Sequence, residues 1–96
     1  MVVLTSREIE KRRRINVALW SFAYAVMNDP IVPDNVYDVV ATSVNLKGCT
    51  DNIRLDIWFE NNFRTSTCAW IWSHPDFEKI AQMYYRLNRN KMRKVG

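Results

Sequence analysis

The sequence predicts an all-α fold, one small domain of about four helices over residues 1–96, with an irregular Trp-rich segment near residues 64–73. Ile15, Leu19, Phe22 and Val26 recur at helical spacing, as do Phe77, Ile80, Tyr84 and Leu87, so each set shares one helix face. Two Gly and three Pro are too few for a turn-rich β sandwich or a disordered chain. A chain of 96 residues that is 48% hydrophobic supports one core. Such a chain buries about 60–70% of its unfolded surface. Four Trp, four Tyr and four Phe supply much of that burial.

The first helix is expected to start at Thr5, with Glu8 completing a capping box. Val17, Trp20, Tyr24 and Met27 form a second apolar stripe beside the first, which predicts a helix largely buried or set against a partner. Asn28-Asp29-Pro30 ends it, because proline disfavours the α region in the residue before it. Ile31 and Val32 connect to a second helix that opens at Pro33-Asp34, with Asp34 as the expected N-cap. Val36, Val40 and Val44 line one of its faces, extended by Val39 and Ser43. These β-branched residues also suit a strand, but Asp38 and Ala41 break the alternation a strand needs. Lys47-Gly48 closes the element, with Gly48 suited to a left-handed C-cap. A third helix opens at Thr50 or Asp51 and carries Ile53, Leu55, Ile57, Trp58, Phe59 and Phe63. Residues 64–72 are expected to form a loop or single turn whose tryptophans plug the core. Ser73-His74-Pro75 opens the last helix, with His74 as its cap.

The net charge is +4, from 14 Lys and Arg against 10 Asp and Glu. Residues 7–14 concentrate Arg7, Lys11, Arg12, Arg13 and Arg14 against Glu8 and Glu10, and residues 86–94 hold Arg86, Arg89, Lys91, Arg93 and Lys94 with no acid. The middle, from Asp29 to Glu60, is acidic. If the basic ends meet, Arg12, Arg13, Arg14, Arg86, Arg89, Lys91, Arg93 and Lys94 form a patch for nucleic acid or an acidic partner. Otherwise they are solvated helix ends, and the C-terminal run complements the helix dipole.

Two Cys make no disulfide framework, which points to a reducing, cytoplasmic setting. No apolar run is long enough for a bilayer, and the basic run Lys11-Arg12-Arg13-Arg14 sits too deep for a signal peptide, so no membrane association is expected. Cys49, Cys68 and His74, the only histidine, lack zinc-site spacing. Gly48 and Gly96 cannot build a phosphate loop. A Cys68–His74 nucleophile pair has nothing in the sequence to orient it. Trp58, Trp70 and Trp72 suit either a base-stacking platform or the core, and the core has the greater need of them.

Residues 22–40 read Phe-Ala-Tyr-Ala-Val-Met-Asn-Asp-Pro-Ile-Val-Pro-Asp-Asn-Val-Tyr-Asp-Val-Val. This pattern resembles the N-terminal helical subdomain of bacterial NAD-dependent DNA ligases, over about residues 15–44. In that family the helix pair clamps the nicotinamide mononucleotide (NMN) half of NAD. The resemblance implies that Tyr24, Asp34, Tyr37 and Asp38 bind such a ligand. Aromatic faces stack on a pyridinium cation, and carboxylates balance its charge and bond ribose hydroxyls. The family's histidine position holds Ala25, and no Lys-x-Asp-Gly motif is present, so adenylyl transfer by that route is excluded. These residues also have structural uses: Asp34 as a cap, Tyr37 packed between helices, and Asp38 paired with an arginine or supporting the helix N-terminus.

The expected function is that of a non-catalytic helical interaction protein with no cofactor of its own. By analogy it is a phage or prophage effector docking on a host DNA-processing protein or protein–DNA assembly. Nucleic-acid binding through the basic ends and NMN or NAD binding at the hairpin are the alternatives.

Overall fold

The computed structural model describes residues 4–95, with side chains described through residue 88. Four helices, α1 (Ser6–Ala25), α2 (Asp34–Ser43), α3 (Ile53–Asn62) and α4 (Phe77–Val95), and a 3₁₀ turn at Ala69–Ser73 make an all-α bundle. No strand occurs among the described residues.

α1 starts where the sequence places it. The Thr5 hydroxyl accepts the Glu8 N–H at 3.1 Å and donates to the Glu8 carboxylate at 3.2 Å. At the other end Asn28 takes the left-handed conformation, φ 51°, and the Asp29 N–H reaches back to the Ala23 carbonyl at 2.8 Å. Asparagine tolerates that conformation, so this turn aims the chain towards the elbow before α2.

The buried face of α1 differs from the expected stripes. It runs Glu10, Arg14, Val17, Ala18, Ser21, Phe22, with Leu19 and Ala23 beside it. Ile15 is 48% exposed and Tyr24 54% exposed. The face is rotated because two charged residues are buried on it, as described below, and an apolar count does not register them.

α2 corrects two expectations. Asp34 is not a side-chain cap: Pro33 occupies the N-cap position, and its carbonyl accepts the Val36 and Tyr37 N–H groups. Asp34 sits in the first turn, where a carboxylate still favours the helix dipole. The helix ends at Ser43 rather than at Gly48, and Gly48 is not left-handed. Thr42 and Ser43 hydroxyls donate back to the Asp38 and Val39 carbonyls, an alternative to continuing the ladder. Val36 and Val39 stand exposed, and Ala41 is the buried residue of this helix.

α3 is capped by Asn52, whose side chain accepts the Leu55 N–H at 3.1 Å. Thr50 and Asp51 do not cap it. Asp51 is left-handed, φ 72°, and Thr50 is committed to Asp56. Phe59 carries the burial, while Ile53 and Ile57 face outward.

In the 3₁₀ turn Trp70 plugs the core as expected, 5% exposed, packing on Phe63 and Phe59. Trp72 does not. It is 60% exposed and stacks on Phe77 at 5.8 Å. Residues two apart on a three-residue turn point in different directions, so one core cannot take both. The His74 ring nitrogen Nδ1 accepts the Asp76 N–H at 2.9 Å and its carbonyl accepts the Phe77 N–H, so His74 caps the start of α4. Ile80 and Tyr84 are then buried against α1, and Leu87 is 40% exposed, where the stripe leaves the core. Phe22 lies at the centre, 5.3 Å from Phe77 and 5.6 Å from Tyr84.

A buried ionic network ties α1 to α3. Arg14, 5% exposed, donates from Nε to Glu10 at 3.0 Å, from one terminal nitrogen to Asp56 at 2.7 Å, and from the other to the Asn45 and Gly48 carbonyls at 2.8 and 3.2 Å. The guanidinium also lies over the Phe59 ring. Glu10 accepts the Asn45 N–H, and Asp56 accepts both the hydroxyl and the N–H of Thr50. Burial alone would raise the Asp56 carboxyl, but the Thr50 hydrogen bonds and the Arg14 charge hold it below its ordinary value. No helix among the described residues is long and apolar enough to cross a membrane.

Candidate functional site

The elbow between α1 and α2 encloses an open cleft of about 420 Å³. Its position follows from two local signals. Left-handed Asn28 turns the chain out of α1, and the Pro30- and Pro33-bounded residues 29–33 bend without helix before α2 begins, with Pro33 itself extended. Tyr24, Asp34, Tyr37 and Asp38 all line this cleft. Tyr24 comes from the last turn of α1, the other three from the first two turns of α2. Asp34 and Asp38 are one helical repeat apart and exposed, so both carboxylates border the same opening.

Tyr37 is anchored. Its hydroxyl shares a 2.8 Å hydrogen bond with Ser21 Oγ, and Ser21 is fully buried on α1. Burial pushes the Tyr37 phenol above its ordinary value, the Ser21 bond opposing it and neighbouring Cys68 adding to it. Tyr37 therefore stays protonated and fixed as one wall. Tyr24, 54% exposed, stands as the other.

The far wall was not legible in the sequence. Trp20 and the segment Thr65, Ser66, Thr67 and Cys68 complete the cleft. The run of three hydroxyl residues was the available signal, but only the fold brings residues 65–68 to the elbow. Thr67 accepts the Ala69 N–H at 3.1 Å, which leaves its hydroxyl proton to donate. The cleft thus combines aromatic faces, two carboxylates and a hydroxyl wall. Its size falls within the range of about 300–1,000 Å³ usual for small-molecule sites.

The basic residues fare differently. Arg14 belongs to the buried network and presents no charge to a partner, a correction to its expected contact role. Arg13 is half-exposed and pairs with Glu10 at 3.4 Å. Arg12 and Arg86 are exposed. The side chains of Arg89, Lys91, Arg93 and Lys94 lie outside the described residues. Cys68 and His74 line different cavities, the elbow cleft and a second pocket against α4. No group of three or more metal-ligating side chains occurs among the described residues.

Comparison with protein-family models, with curated proteins and with solved structures finds no match.

His74 carries a pH prediction. Burial against Trp58 and Phe59 lowers its pKa from 6.5 to about 4, with Asp76 opposing and Arg54 adding to the shift. Below pH 6.5 the unfolded chain binds a proton that the folded chain refuses, so stability falls as the pH drops from 6.5 towards 4. Because the ring borders an open pocket, the expected loss is about 2 kcal/mol rather than the full value of the shift. Urea denaturation of wild type and His74→Gln at neutral and mildly acidic pH checks this. The variant should lose less on acidification.

Proposed function

We propose that this chain is a non-catalytic binding module whose elbow cleft takes a pyridine nucleotide of the NMN type. One observation carries the reading: the four residues that the ligase resemblance selects, Tyr24, Asp34, Tyr37 and Asp38, line a single open cleft. The chemistry fits the ligand part by part. Tyr24 and Tyr37 offer faces to the pyridinium ring, Asp34 and Asp38 offset its charge and accept ribose hydroxyls, and Thr65, Ser66 and Thr67 donate to phosphate oxygens. With no Lys-x-Asp-Gly motif, adenylyl transfer by the ligase route is not supported.

Calorimetry with NMN and with its reduced dihydro form, which keeps the phosphate but has an uncharged ring, tests the reading. The oxidised form should bind about tenfold more tightly, because only it carries the cation that the tyrosines and carboxylates select. Asp38→Asn should weaken the oxidised form more than the reduced one. Absence of heat with both forms would sink the reading.

A second reading is docking on a larger protein, for which the exposed apolar pair Val36 and Val39 on α2 would be the contact. A pull-down should return one stoichiometric partner that is lost with Val39→Asp. Recovery of no stoichiometric partner counts against it.

A further inference from the structure

A second pocket, of about 250 Å³, lies between α1, α3 and α4, away from the elbow. Ile15, Ala18, Leu55, Phe59, Ile80 and Met83 give it an apolar floor. Polar groups gather at its border, and their charges are not balanced. Arg14 is committed to Glu10 and Asp56, and Asp76 faces Arg54 at 3.4 Å. Lys11 and Lys79 also line the pocket, and neither pairs with a carboxylate among the described residues. The open cavity therefore carries an excess of positive charge over apolar surface.

The His74 ring adds a directed donor. The residue is only 8% exposed, and its Nδ1 accepts the Asp76 N–H. A neutral ring that accepts at Nδ1 carries its proton on Nε2. Nε2 has no acceptor among the described residues and is not sealed from solvent, unlike the buried, unpartnered Trp70 indole nitrogen. The donor therefore reaches open space, and His74 lines this pocket.

We propose that this pocket binds a small amphipathic monocarboxylate, its hydrocarbon on the floor between α1 and α4 and its carboxylate held by Lys11, Lys79 and His74 Nε2–H. The volume lies below the range of about 300–1,000 Å³ that suits drug-sized ligands, which selects a short chain or a single ring. The elbow cleft is a separate cavity, so this site stands or falls independently of nucleotide binding.

Titration of the ¹⁵N-labelled chain with octanoate, octanol and octylammonium provides the test. Octanoate should shift the amides of Ala18, Leu55 and Ile80 and bind about tenfold more tightly than octanol, with octylammonium weakest. Lys79→Glu, an exposed change that leaves the helical circular dichroism intact, should weaken octanoate about tenfold and leave octanol unchanged. If octylammonium binds as well as octanoate, or Lys79→Glu weakens acid and alcohol alike, the carboxylate site is wrong. If none of the three ligands moves those amides, the pocket binds nothing of this class.

Discussion

Arg14→Met is expected to destabilise the fold by about 3–5 kcal/mol, the usual penalty for removing one partner of a buried charge network. The variant leaves buried Glu10, 4% exposed, with only the Asn45 N–H and the long Arg13 contact at 3.4 Å, and takes a donor from the Gly48 and Asn45 carbonyls, the latter keeping the Gly48 N–H. It also removes the cation over Phe59. Arg14→Lys should recover only part of the loss. An ammonium cannot reach Glu10, Asp56 and two carbonyls at once, whereas the guanidinium fork does. Replacing Glu10, Arg14 and Asp56 together with apolar residues of similar size should be milder than Arg14→Met alone, since no charge is then left buried. The Asn45 N–H and Thr50 would still lose their acceptors, so recovery is incomplete. Urea midpoints of the set measure these differences. Acid should erode the network as well. Asp56 is held below its ordinary value, so its contribution is present at neutral pH and disappears as the pH falls through that lowered value.

Phe22→Ala is expected to cost about 3–5 kcal/mol, mostly as a cavity that the bundle cannot close. Phe22 is 1% exposed and joins α1 to Phe77 and Tyr84 on α4. Losing it also loosens the elbow. Tyr84, set beside Phe22, donates to Asp29 at 2.6 Å and so fixes the turn between α1 and α2. Phe22→Leu keeps most of the apolar volume and should cost markedly less. Thermal unfolding of both variants distinguishes a cavity effect from general disorder of α4.

The four helices were legible because their ends carry local chemistry: Thr5 and Glu8 at one start, the prolines at the elbow, and His74 at the start of α4. What local chemistry did not reveal was long-range. Glu10 and Arg14 read as members of a solvated basic run, but their partners Asn45, Gly48 and Asp56 arrive from more than thirty residues away. Their burial turns α1, which is why Ile15 and Tyr24 face solvent against expectation. At the candidate site, the Tyr24, Asp34, Tyr37 and Asp38 wall was readable as a spaced motif. The opposite wall of Thr65–Cys68 was not, because an irregular segment has no periodicity to place it. The Trp72 position follows from the geometry of the 3₁₀ turn, which composition does not encode.

Amide and indole NMR shifts during NMN titration test the central reading most directly. Binding at the elbow should move Trp20, Tyr24, Tyr37 and residues 65–68 together, and Tyr24→Ala should abolish the response while leaving the rest of the spectrum in place. Shifts scattered elsewhere, or an unchanged spectrum at saturating NMN, would contradict it.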